Sequence, residues 1–484
     1  MDVKPLPLDV LFSVMAVSPR YTISAMMRTC RTLYHTSESS RLLLRDVELG
    51  WNYQVVSFLP FMLAAPSTRF HHLHALTFEK GAFSDVAVRA IKSLLAHPLF
   101  AIDALTLRDA EAVLTSGIKY HSGLWEVPLA SAPLLEPFAR LTTLKHLTMD
   151  AADACASEFL RTLSSSLVSV SAGFPPDPTI LFPRKWAFRD YNFTTFPDPI
   201  VSLVRSTDTL EVLEGSGFSL PQTNTRLSDA IYPHVWKLRA GFKYGTWERL
   251  VAAYAHAFPN LRHLVLNKYV ESYIRNTGTI QGVNGRQHIR LGNREDQLQH
   301  DSWKSLSVVE GTVSAVYALG LVCKVSELHL KDVVTEDMVT DLEVVLQDVE
   351  PETLSMTIWG AAMFREGSRL SRLLATPTLQ CITSLAMTIH FAESEGDSGV
   401  EGIMDCIMFR LANLSLRRLE LVLALPPIKP SDREVWEVPS TCPAEEYLKE
   451  FDFEAYISRF KAMTSTLESI SVKHRRSYYW ELMS

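Results

Sequence analysis

The chain has 484 residues and a mass of 54.4 kDa, and its 47 Lys and Arg against 54 Asp and Glu leave a formal net charge of −7. With 47% hydrophobic and 21% charged residues, it can build a sizeable core, which excludes disorder over most of its length. The acidic balance excludes a global basic field for nucleic acid, and six cysteines without a CxxC pair exclude a small disulfide-stapled framework. The longest apolar run, residues 55–65, is broken by Pro60 and falls well short of the ~20 residues of a membrane span. Residues 6–17 have the look of a signal-peptide core, but Asp9 interrupts them and no clear small-residue cleavage site follows. The expectation is a cytoplasmic or nuclear protein.

In chain order, the first element is a helix opened by Pro7, with Asp9 near the positive end of its dipole. Val10, Leu11, Val14 and Met15 fall on one face of it, and Ser18-Pro19 ends it. Ile23, Met26, Met27, Cys30, Leu33 and Tyr34 follow at offsets of 0, 3, 4, 7, 10 and 11, an amphipathic helical stripe. Helices this short cannot bury both faces alone, so a module over residues 1–45 must lean on the rest of the chain or on another protein. A connecting helix is expected over residues 46–65.

Leu6-Pro7-Leu8-Asp9-Val10-Leu11, then Val14-Met15, then the basic, small and aromatic run RTCRTLYH over residues 28–35, resembles an F-box. The resemblance covers about 40 residues. It implies docking to the Skp-type adaptor of a cullin–RING ubiquitin ligase, through Leu6, Pro7, Val10, Leu11, Val14, Ile23, Met27, Cys30 and Leu33. An exposed apolar helix face is, on physical grounds alone, a partner site. The competing expectation is that these helices only cap the edge of a repeat array.

That array is the next feature. The pattern apolar, two residues, apolar, one residue, apolar recurs roughly thirteen times, at spacings of 22 to 51 residues. It runs from Leu73/Leu76/Phe78 and Ile102/Leu105/Leu107, through Leu261/Leu264/Leu266 and Trp303/Leu306/Val308, to Leu467/Ile470/Val472. The last two apolar positions alternate with polar ones, as a half-buried strand requires. Helical patterns lie between the copies: one after Ser84, one over residues 247–258, and one over residues 336–349 behind Thr335. The prediction is an α/β solenoid over residues 66–484, whose units must stack to cover their apolar faces.

The copies resemble leucine-rich repeats of the irregular kind, whose units run to about 20–29 residues before insertions. The fold this implies is a leucine-rich-repeat horseshoe preceded by a small all-α module. An F-box joined to such repeats is similar to the F-box proteins of fungi. The layout implies the substrate-recognition subunit of an SCF-type ligase, which selects an unidentified target protein and is itself no enzyme.

Strand alternation puts a set of side chains on the face away from the helices. It includes Thr77, Thr106, Thr148, Ser305, Ser307, Glu327, Lys331, Ser355, Thr357, Thr388, Arg418 and Glu420. Lys237, Arg239 and His263 form a basic spot among them, and His329 lies further on. This spot either receives an acidic or phosphorylated segment of the target or is ordinary solvated surface. Residues 173–199, 267–301 and 426–443 break the rhythm and are expected to be inserted loops.

Other motifs carry less. Gly396-Asp397-Ser398-Gly399 matches a serine-protease nucleophile segment but lacks the context of a His, a buried Asp and oxyanion donors. His71, His72 and His74, the last two expected on one strand face, lack Cys or carboxylate partners at ligand spacing, so no metal is expected. No phosphate-cradling loop is present and no cofactor is expected. The terminal run KHRRSYYWEL is expected to cap the last repeat rather than contact nucleic acid.

Overall fold

A computed structural model describes residues 7–35, 37–44, 46–79, 81–116, 132–174, 199–216, 230–240, 251–266, 283–391, 400–425 and 443–476. The chain forms two compact units, Met1–Trp236 and Lys237–Ser484. Among the described residues, no helix is long and apolar enough to cross a membrane.

The first unit opens with four short helices: α1 (Leu8–Val17), α2 (Arg20–Thr29), α3 (Arg31–His35) and α4 (Ser37–Leu44). The stripe from Ile23 to Tyr34 is not one helix, because Cys30 takes an extended conformation (φ −136°, ψ 116°) between α2 and α3. It still converges: Ile23, Met27 and Leu33 bury against Met15, with Leu11, Phe12, Cys30 and Phe61 around them.

Strands alternate with helices from there on. In the first unit they are β1 (Val47–Leu49), β2 (Ala75–Phe78), β3 (Ala104–Leu107), β4 (His146–Met149), β5 (Ser169–Gly173) and β6 (Val212–Ser216). Each pairs in parallel with the next, and the repeat positions are in register: Leu76↔Leu105↔Leu147↔Val170↔Leu213. Parallel neighbours need a crossover, and the intervening helices supply it. The helix Asp85–Leu95 starts where expected, with Ser84 Oγ accepting from Ala87 N at 3.4 Å, and it buries Ala87, Val88, Ile91 and Leu94.

The segment 46–65 departs from the single connecting helix expected there. It holds β1 and then α5 (Asn52–Leu63), so the sheet begins at Val47 and not at the expected start of the array, residue 66. The pattern was present, as Leu44/Val47/Leu49 is a copy of the repeat with all three residues buried. A further helix, α6 (Pro66–His72), precedes β2. His72 therefore ends a helix, and it does not share a strand face with His74.

The second unit contains β7 (Lys237–Ala240), β8 (His263–Leu266), β9 (Ser305–Gly311), β10 (Lys324–Val334), β11 (Thr353–Trp359), β12 (Ser384–His390), β13 (Arg418–Leu425) and β14 (Ser469–Arg476). Its register column runs Leu238↔Leu264↔Val309↔Leu328↔Leu354↔Leu385↔Leu419. All seven are buried, each side chain contributing roughly 1.5–3 kcal/mol by leaving water. The pairing of Leu264 with Val309 corrects the expected frame of β9, which is Leu306/Val309/Gly311 and not Trp303/Leu306/Val308. A recurring hydroxyl stitches successive units: Thr143 donates to Ile102 O (2.9 Å), Thr209 to Leu167 O (2.8 Å) and Thr466 to Leu416 O (2.9 Å).

Three other expectations are corrected. The loop expected over 267–301 contains a 17-residue helix, Val283–Gln299, while residues 267–282 lie outside the described ones. The helix behind Thr335 runs Val339–Val349, because Thr335 O first accepts from Met338 N (2.9 Å) in a turn. Lys473 to Arg476 do not follow the last strand but belong to β14.

Candidate functional site

The nine side chains expected on the adaptor face do not share one environment. Leu6 lies outside the described residues. Pro7, Val10 and Val14 are exposed, Val10 at 40% and Val14 at 45%. With Val17 they recur at helical spacing along one side of α1, and Leu8 and Tyr21 add exposed apolar surface nearby in sequence. Leu11 and Cys30 are half-buried. Ile23, Met27 and Leu33 are core, 2–4% exposed, and cannot meet a partner in this conformation. The sequence stripe marks all these residues as apolar. It does not say that one side of the stripe is already spent on Met15.

The Cys30 thiol sits at the start of α3. The backbone N–H of Leu33 holds its pKa below the ordinary thiol range, burial opposes this, and Thr32 adds to the lowering.

The module is joined to the array through Arg69 of α6, whose side chain is wholly buried. Its guanidinium donates to Tyr34 O (2.9 Å), to Tyr34 Oη (3.4 Å) and to Phe61 O. It also lies over the rings of Tyr34 (4.4 Å) and Phe61 (3.9 Å). Sequence reading did not single out Arg69, since a lone arginine in a short polar helix carries no burial signal.

On the sheet face opposite the helices, His263 of the expected basic spot shares a carboxylate with Lys331. His263 Nε2 meets Glu310 Oε1 at 3.0 Å, and Lys331 Nζ meets the other carboxylate oxygen at 2.8 Å. His329 lies 3.4 Å from Glu327. Lys237 and Arg239 stand beside His263 and Val265 on the neighbouring strand. Glu310 was missed because the expected β9 frame was displaced by three residues. Once the frame is Leu306/Val309/Gly311, Glu310 is the outward residue.

Burial pushes the Glu310 carboxyl up, but hydrogen bonds and charge from Lys331 and His263 outweigh it and hold the pKa below the ordinary value. A depressed carboxyl contributes stability that is present above the unfolded pKa, about 4.3 for Glu, and is lost as pH falls through the folded one. Wild type is therefore expected to exceed Glu310→Gln in stability above about pH 5, and the gap should close at lower pH. Urea unfolding from pH 3 to 7 measures this.

Further along the same face, β11 to β14 enclose a groove of about 450 Å³, within the size range of ligand sites. Ser355, Thr357 and Thr388 line one side of it, Ala386 and Val422 the middle, and Glu420, Lys473 and Arg475 the other side. Thr357, Thr388, Val422 and Lys473 are register partners and form one row across the four strands. Lys473 Nζ and Glu420 Oε1 are 3.5 Å apart, both well exposed. Strand alternation had marked Ser355, Thr357, Thr388 and Glu420 as outward; Lys473 and Arg475 were assigned to a cap.

Gly396 to Gly399 lie outside the described residues. His74 Nδ1 pairs with Asp103 (3.3 Å), which also meets Lys145 (3.2 Å). Among the described residues, no group of three or more His, Cys, Asp and Glu could hold a metal ion. No protein-family model matches the chain, and no curated protein matches it.

Proposed function

We propose that the chain is the substrate-recognition subunit of an SCF-type cullin–RING ubiquitin ligase. In this reading residues 7–44 act as an F-box toward a Skp-type adaptor, and strand–helix units of the leucine-rich-repeat kind hold a target protein. The observation that carries it is the exposed apolar side of α1, formed by Pro7, Val10, Val14 and Val17, on helices whose core around Met15 is already closed. A side that is apolar, exposed and not needed for the module's own folding is what a protein partner covers. The subunit performs no chemistry and needs no cofactor; it raises the effective concentration of target lysines near the transfer machinery. Such a subunit works in the cytoplasm or nucleus.

Co-purification of the full chain with a Skp-type adaptor tests the reading. Wild type should capture the adaptor, and Val10→Asp with Val14→Asp should abolish capture, because two carboxylates would be buried against an apolar surface without partners. Both residues are exposed, so circular dichroism of the variant should match wild type. Failure of wild type to capture any adaptor overturns the proposal.

A second reading is a repeat scaffold whose first helices serve only as a cap. The contacts of Arg69 with Tyr34 and Phe61 favour it, since they tie those helices to the following unit. Under it the Asp variants behave as wild type.

A further inference from the structure

We infer that the chain pairs with a second copy of itself through α5, the two helices lying antiparallel about a two-fold axis. Adaptor capture is assigned to α1, so this pairing does not rest on the ligase reading.

The first observation is composition. Residues 49–68, which include α5, contain no Asp, Glu, Lys, Arg or His, on a chain where charged residues make up 21%. One side of α5 nevertheless faces solvent. Tyr53 is 70% exposed, Leu63 45% and Val56 38%, and Pro60 and Ala64 are exposed with them. Trp51, at the helix start, is also exposed. The opposite side is spent, with Val55 and Met62 buried. The polar side chains are spent as well: Asn52 Oδ1 accepts from Ser84 N (2.8 Å), Gln54 Oε1 from Gly50 N (2.8 Å), and Ser57 donates to Gln54 O (3.1 Å). The helix Asp85–Leu95, by contrast, exposes Asp85, Arg89 and Lys92. A helix that is apolar on its exposed side as well as its buried one is a helix that something covers.

The second observation is spacing, and it points to the occupant. Tyr53, Val56, Pro60 and Leu63 stand at offsets of 0, 3, 7 and 10, the a and d positions of a coiled-coil seam. These offsets are the same from either end. An antiparallel copy therefore sets Tyr53 against the partner's Leu63 and Val56 against the partner's Pro60. Each contact then recurs across the axis, as an isologous interface requires. A parallel pair would align the two helix dipoles, and the antiparallel one opposes them. The positions flanking the seam hold Asn52, Ser57, Leu59 and Ala64, so two copies meet there without like-charge repulsion.

The third is size. With Trp51 and Ala64 the exposed side offers on the order of 500 Å² per copy, or about 1,000 Å² for the pair, the size of a weak, reversible complex. The net charge of −7 on each copy opposes association, so added salt should strengthen the dimer.

Sedimentation velocity on the purified full chain tests the pairing, over about 1–100 μM and at low and high salt. The mass should move from 54.4 kDa toward twice that value as concentration rises, and further at high salt. Tyr53→Glu and Leu63→Lys should each remain monomeric across the range, with circular dichroism like wild type because both positions are exposed. Mixed in equal amounts, the two variants should pair. The new carboxylate then faces the new ammonium, and the other end keeps Tyr53 against Leu63. Lys92→Gln, on the exposed side of the helix Asp85–Leu95, should dimerise as wild type does. A wild type that stays monomeric, single variants that dimerise like wild type, or a mixture that stays monomeric would each overturn the inference. So would flotation of monomeric wild type with phosphatidylcholine vesicles that either variant abolishes, since that assigns the exposed side of α5 to a lipid surface.

Discussion

Arg69→Ala is expected to destabilise the joint between the N-terminal helices and the array by about 3–5 kcal/mol, the range found when one member of a buried charged interaction is removed. The side chain is fully buried, and among the described residues no carboxylate faces it. Its charge is offset instead by the carbonyls of Tyr34 and Phe61 and by the faces of both rings. Truncation leaves two carbonyls without their donor and a cavity where the guanidinium lay. Arg69→Lys should recover less than half of the loss, because a compact ammonium cannot span both carbonyls or lie flat on a ring. Hydrogen–deuterium exchange should rise over residues 7–44 and stay at the wild-type level over residues 353–390. Unchanged exchange over 7–44 would mean that the apolar contacts with Phe61 hold the module alone.

Asp348→Asn should cost about 2–4 kcal/mol and act on the helix Val283–Gln299. Asp348 receives Arg290 on one oxygen and Arg294 on the other at 2.8 Å, and both Arg290 and Asp348 are largely buried. The substitution leaves two arginines facing a neutral amide. The same helix caps its neighbour Val313–Leu319: Asn293 donates to Ala318 O (2.9 Å), and Gln297 donates to Leu319 O (3.1 Å) and Gly320 O (3.0 Å). These carbonyls would otherwise be orphaned at a helix end. Gly320 is left-handed (φ +55°), and a Cβ there would come within 2.6 Å of Arg290 O, so the two elements meet at backbone distance. Exchange in Asp348→Asn should rise over 283–299 and over 313–320 together. A rise confined to 283–299 would show that the capping bonds survive without the ion pairs.

That helix also explains where sequence reading stopped. Its inward stripe has ordinary helical spacing, Arg286, Arg290, Asn293, Arg294 and Gln297, but the residues are polar. A pattern search keyed to apolar residues passes over it, and Gly285 and Gly292 add the look of a loop. Arg69 failed to register for the same reason. Both side chains are inside because their bonding groups find partners there, which only the assembled fold reveals. The β9 frame failed differently: Leu306 fits two overlapping copies of the repeat, and pairing with Leu264 on β8 selects the one ending at Gly311.

What the sequence determined by itself is the repeat: roughly thirteen copies of one apolar pattern, each overlapping a strand, with helical patterns between several of them. This was legible because burial on one face of a strand or helix imposes a period on apolar residues within a single element. The tertiary structure decided which of the apolar residues near Met15 are core and which face solvent, where the sheet begins, and that His263 and Lys331 share the carboxylate of Glu310. Those are relations between elements dozens of residues apart. Register and packing set them, and no local period records either.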